Sequence, residues 1–425
     1  MEVILEEPVT VITEADDREF EENVATVGLV LENMLDEISM YEKVQSEGEM
    51  DDLTSEFVYK TIADRNETYG LGEPEFSMEA FKQAPLKYSK ESISSFLSSV
   101  WEKIKEIFAK ILDYLTGKWN KKSITATAEK KKRDLNLREV ELKNAAKASE
   151  NPSISPEEKE RIDKIFVQSP KILSKIKGCD PQLFNNYPIG PVTIKHMEYL
   201  IVLYKRLCVQ VEGLFAAVLE DLTFIQDHSD KLASGEVSFS NRPHWKTTSY
   251  IQDNFDREKV PAGAKKALSP HKELDTRRIR VQKGFLYGEV IIFYVDLHPL
   301  SMYEGHIFTL NEEYDGAKPM AVEVAGLNQL SELFYPAAKL AQDIAKTTSK
   351  LTDNIDTCKR SVESIEKYFD EVLKSGNDNM HNVRLALGSL KDIQSLLRFT
   401  GRLASFTDSH AKHLNDAIAK YPCKL

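Results

Sequence analysis

Apolar residues recur every three to four positions along most of this chain, so helices dominate the expectation. Val24, Val27, Leu31, Met34, Leu35 and Ile38 share one helical face and predict an amphipathic helix over about 17–46. SEGEMDD and RNETYGLGEPE then read as loop. Over 92–119 a wide apolar face follows: Ile93, Leu97, Val100, Ile104, Ile107, Ile111 and Leu115, broadened by Phe96, Trp101, Phe108, Leu112 and Trp119. Gly117 and Asn120 are its expected stop. After a charged stretch, Asn151-Pro152 and Ser155-Pro156 mark a break, and Ser155 with Glu158 a helix start.

Another long helix is predicted over about 192–233, apolar around much of its circumference and therefore central. Residues 234–326 lose the helical period, and within them 278–297 are rich in β-branched and aromatic residues, which predicts a strand pair or bent hairpin. A heptad seam from Phe334 to Val372 predicts a helix over about 327–374, and a second seam runs from Val383 to Ile418. The Ser375–Asp378 turn between them makes these two helices antiparallel neighbours. The fold class expected is mainly α: an elongated antiparallel helical bundle with a small inserted β-hairpin or irregular region.

Charge divides the chain. Residues 1–79 hold 23 acidic and four basic residues, net -19, whereas the remainder holds 45 acidic and 52 basic, net +7. Such asymmetry reports on partners or processing rather than on fold. Three segments follow: an acidic, propeptide-like 1–79; the aromatic helix and a basic linker, 80–150; and a helical body, 151–425, with the irregular insert at 234–326. The acidic helix is either a helix packed on the body or a targeting segment that is later removed. At the sign change stands Ser77-Met78-Glu79-Ala80, a small residue, any residue and Glu, followed by Ala. Ser234-Gly235-Glu236 and Ser361-Val362-Glu363 share the pattern, but the last falls within a predicted helix, and proteases need extended, exposed chain.

Candidate surfaces are two. Phe96, Trp101, Ile104, Phe108, Ile111, Leu115 and Trp119 suit a membrane surface or a partner groove, with a core helix as the alternative. Lys130, Lys131, Lys132 and Arg133 could make sequence-independent phosphate contacts, with a solvated helix face or linker as the alternative. The acidic N-terminus is not expected to act as a secretory signal, no apolar run of 18 residues predicts a membrane span, and Cys179, Cys208, Cys358 and Cys423 are expected as buried free thiols, with a structural bridge as the alternative. No nucleotide-binding, zinc-protease or hydrolase motif occurs, His410 and His413 lack a carboxylate to complete a metal site, and Asp296 with His298 lacks a nucleophile. The expectation is a non-enzyme without cofactors.

The acidic 1–79, the Ser77–Glu79 junction, the aromatic segment SVWEKIKEIFAKILDYLTGKW and the helical remainder together resemble the internal head proteins of large tailed bacteriophages. That resemblance implies synthesis in the host cytoplasm, packaging with the genome in the virion interior, and cleavage of an acidic propeptide after Glu79 by a prohead protease. It implies capsid or prohead scaffold proteins as partners, with non-specific contact to packaged DNA and membrane contact on ejection. Competing readings are a pore-forming-like membrane-active protein, for which the GEVIIFYV hairpin would be the inserting tongue, and a cytoplasmic coiled-coil scaffold.

Overall fold

A computed structural model describes residues 14–47, 50–166, 172–173, 193–236, 245–254, 279–282, 290–295, 305–310, 320–321, 323–375 and 380–424. The protein is mainly α, as its periodicity predicts. Among the described residues the helices are α1 (Glu14–Glu47), α2 (Asp52–Tyr69), α3 (Met78–Gln83), α4 (Pro85–Lys118), α5 (Lys121–Ser149), α6 (Pro156–Ile165), α7 (Ile194–Ala233), α8 (Lys246–Asn254), α9 (Leu327–Ser349), α10 (Leu351–Ser375) and α11 (Met380–Ala419). Among the described residues seven short strands accompany them: β1 (Ile172–Leu173), β2 (Ile279–Gln282), β3 (Val290–Val295), β4 (Gly305–Leu310), β5 (Met320–Ala321), β6 (Ala325–Gly326) and β7 (Cys423–Lys424).

Two compact units form. One comprises Met1–Lys118, Glu220–Pro243 and Ile355–Arg398; the other comprises Trp119–Leu219, His244–Asn354 and Phe399–Leu425. α7, α10 and α11 each contribute residues to both.

In the first unit α1 packs along α4. Asp17 lies beside Tyr114 and Lys118 at one end, and Glu37 reaches Ser92 through Arg65 at the other, so the two helices are antiparallel. α1 also runs antiparallel to α11: Glu42 pairs with Arg384, Glu32 with Lys391 and Glu21 with Arg398. Trp101 of α4 stacks on Phe369 of α10 at 4.2 Å between centroids.

In the second unit α5 packs against α9, antiparallel, with Gln342 donating to Glu129 and Thr352 Oγ1 reaching the Trp119 carbonyl. α7 runs parallel to α9 and the start of α10: Glu212 pairs with Lys350, and Asn354 Nδ2 donates to the Phe215 carbonyl at 3.3 Å. The bundle is therefore not antiparallel throughout. The hairpin is present, β2 pairing antiparallel with β3 (Ile279↔Tyr294 to Gln282↔Ile291), and β4 adds a third antiparallel strand that the sequence reading lacks. Parallel pairing of β6 with β7 ties the Cys423 strand beside the start of α9.

Several local expectations change. Residues 52–69 form α2, whose start is fixed by Asp51 accepting the Thr54 amide and whose end by Gly70 in the left-handed region at φ 67. α4 ends at Lys118, where the stop is expected, but starts earlier, at Pro85, and Asn120 caps the N-terminus of a further helix, α5. The expected basic linker is the 29-residue α5, held down by a stripe of Ala128, Leu135 and Leu142 at intervals of seven. The predicted 327–374 helix is two helices meeting at Lys350. α8 lies within the stretch read as irregular.

Candidate functional site: the acidic helix and its junction

The site begins with α1. Phe20, Val24, Val27, Leu31, Met34, Leu35, Ile38, Tyr41 and Val44 are all buried, so its predicted apolar face lies wholly in the first unit's core. Nine such side chains contribute about 1.5–3 kcal/mol each. The acids on its flanks meet cations of α4 and α11: Asp17 with Lys118, Glu21 with Arg398 at 3.4 Å, Glu32 with Lys391 at 2.9 Å and Glu42 with Arg384 at 2.5 Å. Partly exposed pairs of this kind contribute roughly 0–1 kcal/mol each. Apolar burial therefore holds α1, and the ion pairs set its register. Gly28 allows α11 to come close: Gln394 Nε2 donates to the Val24 carbonyl at 2.8 Å, and a Cβ at Gly28 would lie 3.2 Å from that nitrogen.

A buried polar link ties α1 and α2 to α4. Arg65 Nη1 donates to Glu37 Oε2 at 2.8 Å, Nη2 donates to Ser92 Oγ at 2.6 Å, and the guanidinium sits 4.7 Å above the Phe96 ring. Burial raises the Glu37 carboxyl above its ordinary value and lowers Arg65, the partner opposing each shift. Desolvation thus outweighs pairing for both groups.

The junction is built by Ser77. Its Oγ accepts from the Ala80 amide at 3.2 Å, and its carbonyl accepts from the Phe81 amide at 2.9 Å. The Glu79–Ala80 bond therefore lies in the first turn of α3, a six-residue helix, and its own nitrogen is capped by the serine of the motif. Ser77 and Glu79 are exposed, but Phe81 is fully buried with Val44, Val58 and Ile62. Phe76 stacks on Tyr88 at 4.7 Å, and its carbonyl accepts the Tyr59 hydroxyl. Preceding it, the 70–77 connection contains two positive-φ glycines, Gly70 and Gly72. Of the other matches to the pattern, Ser234–Glu236 sits in an exposed turn after α7, and Ser361 and Val362 are buried within α10.

The aromatic surface requires correction. Phe96, Trp101, Ile104, Phe108, Ile111, Leu115 and Trp119 are each 3% exposed or less, so the face proposed for membrane or partner is core. Its width reflects neighbours on more than one side, with Phe20 stacked on Tyr114 and Phe369 on Trp101. Among the described residues no helix is long and apolar enough to cross a membrane. The basic run is divided: Lys130 and Arg133 are exposed, whereas Lys131 pairs with Asp416 and Lys132 with Glu129.

Among the described residues no cluster of metal-ligating side chains occurs. Asp296, His298 and the side chains of His410 and His413 lie outside them. Cys208, Cys358 and Cys423 are free and buried; burial raises all three thiols, Cys208 to about 12. Cys179 lies outside the described residues. No protein family, no curated protein and no solved structure matches this chain.

Proposed function

We propose that the protein is a structural component of a tailed-phage head, packaged in the virion interior with the genome and processed between Glu79 and Ala80. The observation that carries this reading is a coincidence of position. Charge changes from net -19 to net +7 where a short, serine-capped helix joins two long ones. A prohead protease would act there once the first turn of α3 unwinds, since substrate chain must be extended. Capsid or prohead scaffold proteins are the proposed partners. Contact with packaged DNA would run through Lys130 and Arg133, the exposed members of the basic run. Mass and N-terminal sequence of the chain from mature particles test the reading: a start at Ala80 supports it, and a start at Met1 sinks processing.

A second reading is favoured by the burial of α1. In it the acidic helix is a permanent core element of a scaffold protein, and the junction is an ordinary connection. An intact chain in the assembled particle or cell separates it from the first.

A further inference from the structure

We infer that α4 and the first half of α11 form a groove for an acidic amphipathic helix, filled in cis by α1, and that severing Glu79–Ala80 leaves residues 1–79 seated there as a second, noncovalent chain. The biological occurrence of the cut rests on the proposed processing; the groove does not. Its rim is a row of cations on one face of α11, Arg384, Lys391 and Arg398, at intervals of seven, with Lys118 of α4 opposite. A heptad interval returns to the same side of a helix. Each of these cations faces an acid of α1, in antiparallel order. The groove also reads the ligand's backbone, through Gln394 and the gap at Gly28.

Seating survives the cut because the retaining contacts lie on both sides of it. Phe81 and Tyr88 follow the bond, and both pack with Val44, Val58 and Ile62 of the acidic segment. Arg65 holds Ser92 in the same way. The apolar stripe of α1 is insensitive to salt, whereas the ion pairs are screened. High salt should therefore not release the segment. This is helix-in-groove recognition, with the ligand supplied by the chain itself.

The test uses the full chain with a site for a sequence-specific protease inserted after Gly72. The cut protein is examined by native mass spectrometry and size-exclusion chromatography. The expected result is a single complex near 48.3 kDa plus the inserted residues, persisting in 1 M salt at about a tenth the Debye length of dilute buffer. Leu31→Asp, folded while tethered, should lose the segment after cutting, with at least a tenfold weaker association. A labelled peptide of residues 14–47 should exchange into the cut wild-type complex, and the same residues in scrambled order should not. Departure of the 1–72 fragment at ordinary salt, or entry of the scrambled peptide to the same extent as the native one, overturns the groove. If Leu31→Asp precipitates before cutting, the peptide exchange decides alone. A native chain starting at Met1 would remove the biological cut and leave these outcomes unchanged.

Discussion

The Glu37–Arg65 pair is the point in the first unit where one side chain matters most. Arg65→Ala leaves a buried carboxylate without its guanidinium, a loss of about 3–5 kcal/mol. Arg65→Met with Glu37→Gln should recover most of it, read from the midpoint of denaturant unfolding. The pH dependence has a definite sign. Glu37 in the fold holds its proton above the ordinary value of 4.5, so the native state binds more protons there than the unfolded chain. Stability from this group therefore falls as pH rises through that window, and Arg65→Ala should deepen the fall. Trp101 makes a second residue-scale case. Its indole Nε1 finds no acceptor among the described residues, while its ring stacks on Phe369. Trp101→Ala should cost about 3–5 kcal/mol. Trp101→Phe keeps a ring and removes the unsatisfied donor, so it should cost markedly less. Gly213 in α7 touches Tyr250 of α8: a Cβ there would lie 2.2 Å from the hydroxyl. Gly213→Ala must displace Tyr250, and α8 should gain backbone hydrogen exchange locally.

At the scale of elements, accessibility separates three stretches with the same short pattern. A glutamate-specific protease at low ratio should cut in the exposed 70–77 connection and at Glu236, and should spare Glu363, because cleavage needs about a turn or more of unwound chain. Ser77→Ala removes the cap of α3, about 1 kcal/mol. That change should speed cutting after Glu79 by this enzyme. Local stability of α3, rather than the motif alone, then sets the rate. The same scale explains why the sequence of α5 reads as a basic linker rather than as a core helix. Its buried residues are only Ala128, Leu135, Leu142 and Ala145 among many charges, and only a partner along its length makes such a stripe sufficient. α9 supplies that partner.

For the whole molecule, the exposed half of the basic run limits DNA binding. Two phosphate contacts, at Lys130 and Arg133, imply a log–log salt slope of roughly -2 from this site. Duplex binding measured across a salt series should show that share disappear in Lys130→Ala with Arg133→Ala. A slope unchanged by the pair of substitutions would place any DNA contact elsewhere. Net charge behaves differently at this scale. The -19 of the first 79 residues is a property of the sequence, but four of those acids are matched by cations of α4 and α11. The acidic segment and the basic body are thus partly complementary within one chain.

The sequence alone determined the helical class, the apolar stripes of α1, α4, α7, α9, α10 and α11, the β2–β3 hairpin and the burial of three thiols. Each of these is a local periodicity or composition that one element needs whatever it packs against. Tertiary structure decided the rest. A wide apolar face looks the same whether its neighbours are lipid, a partner or α1 and α10; only their placement turned Phe96, Trp101 and Phe108 into core. Antiparallel α1–α11 and parallel α7–α9 follow from pairings far apart in sequence, such as Glu42 with Arg384 and Glu212 with Lys350. The acidic segment read as detachable because charge is visible along a chain, whereas the surface that its apolar face meets is assembled only on folding.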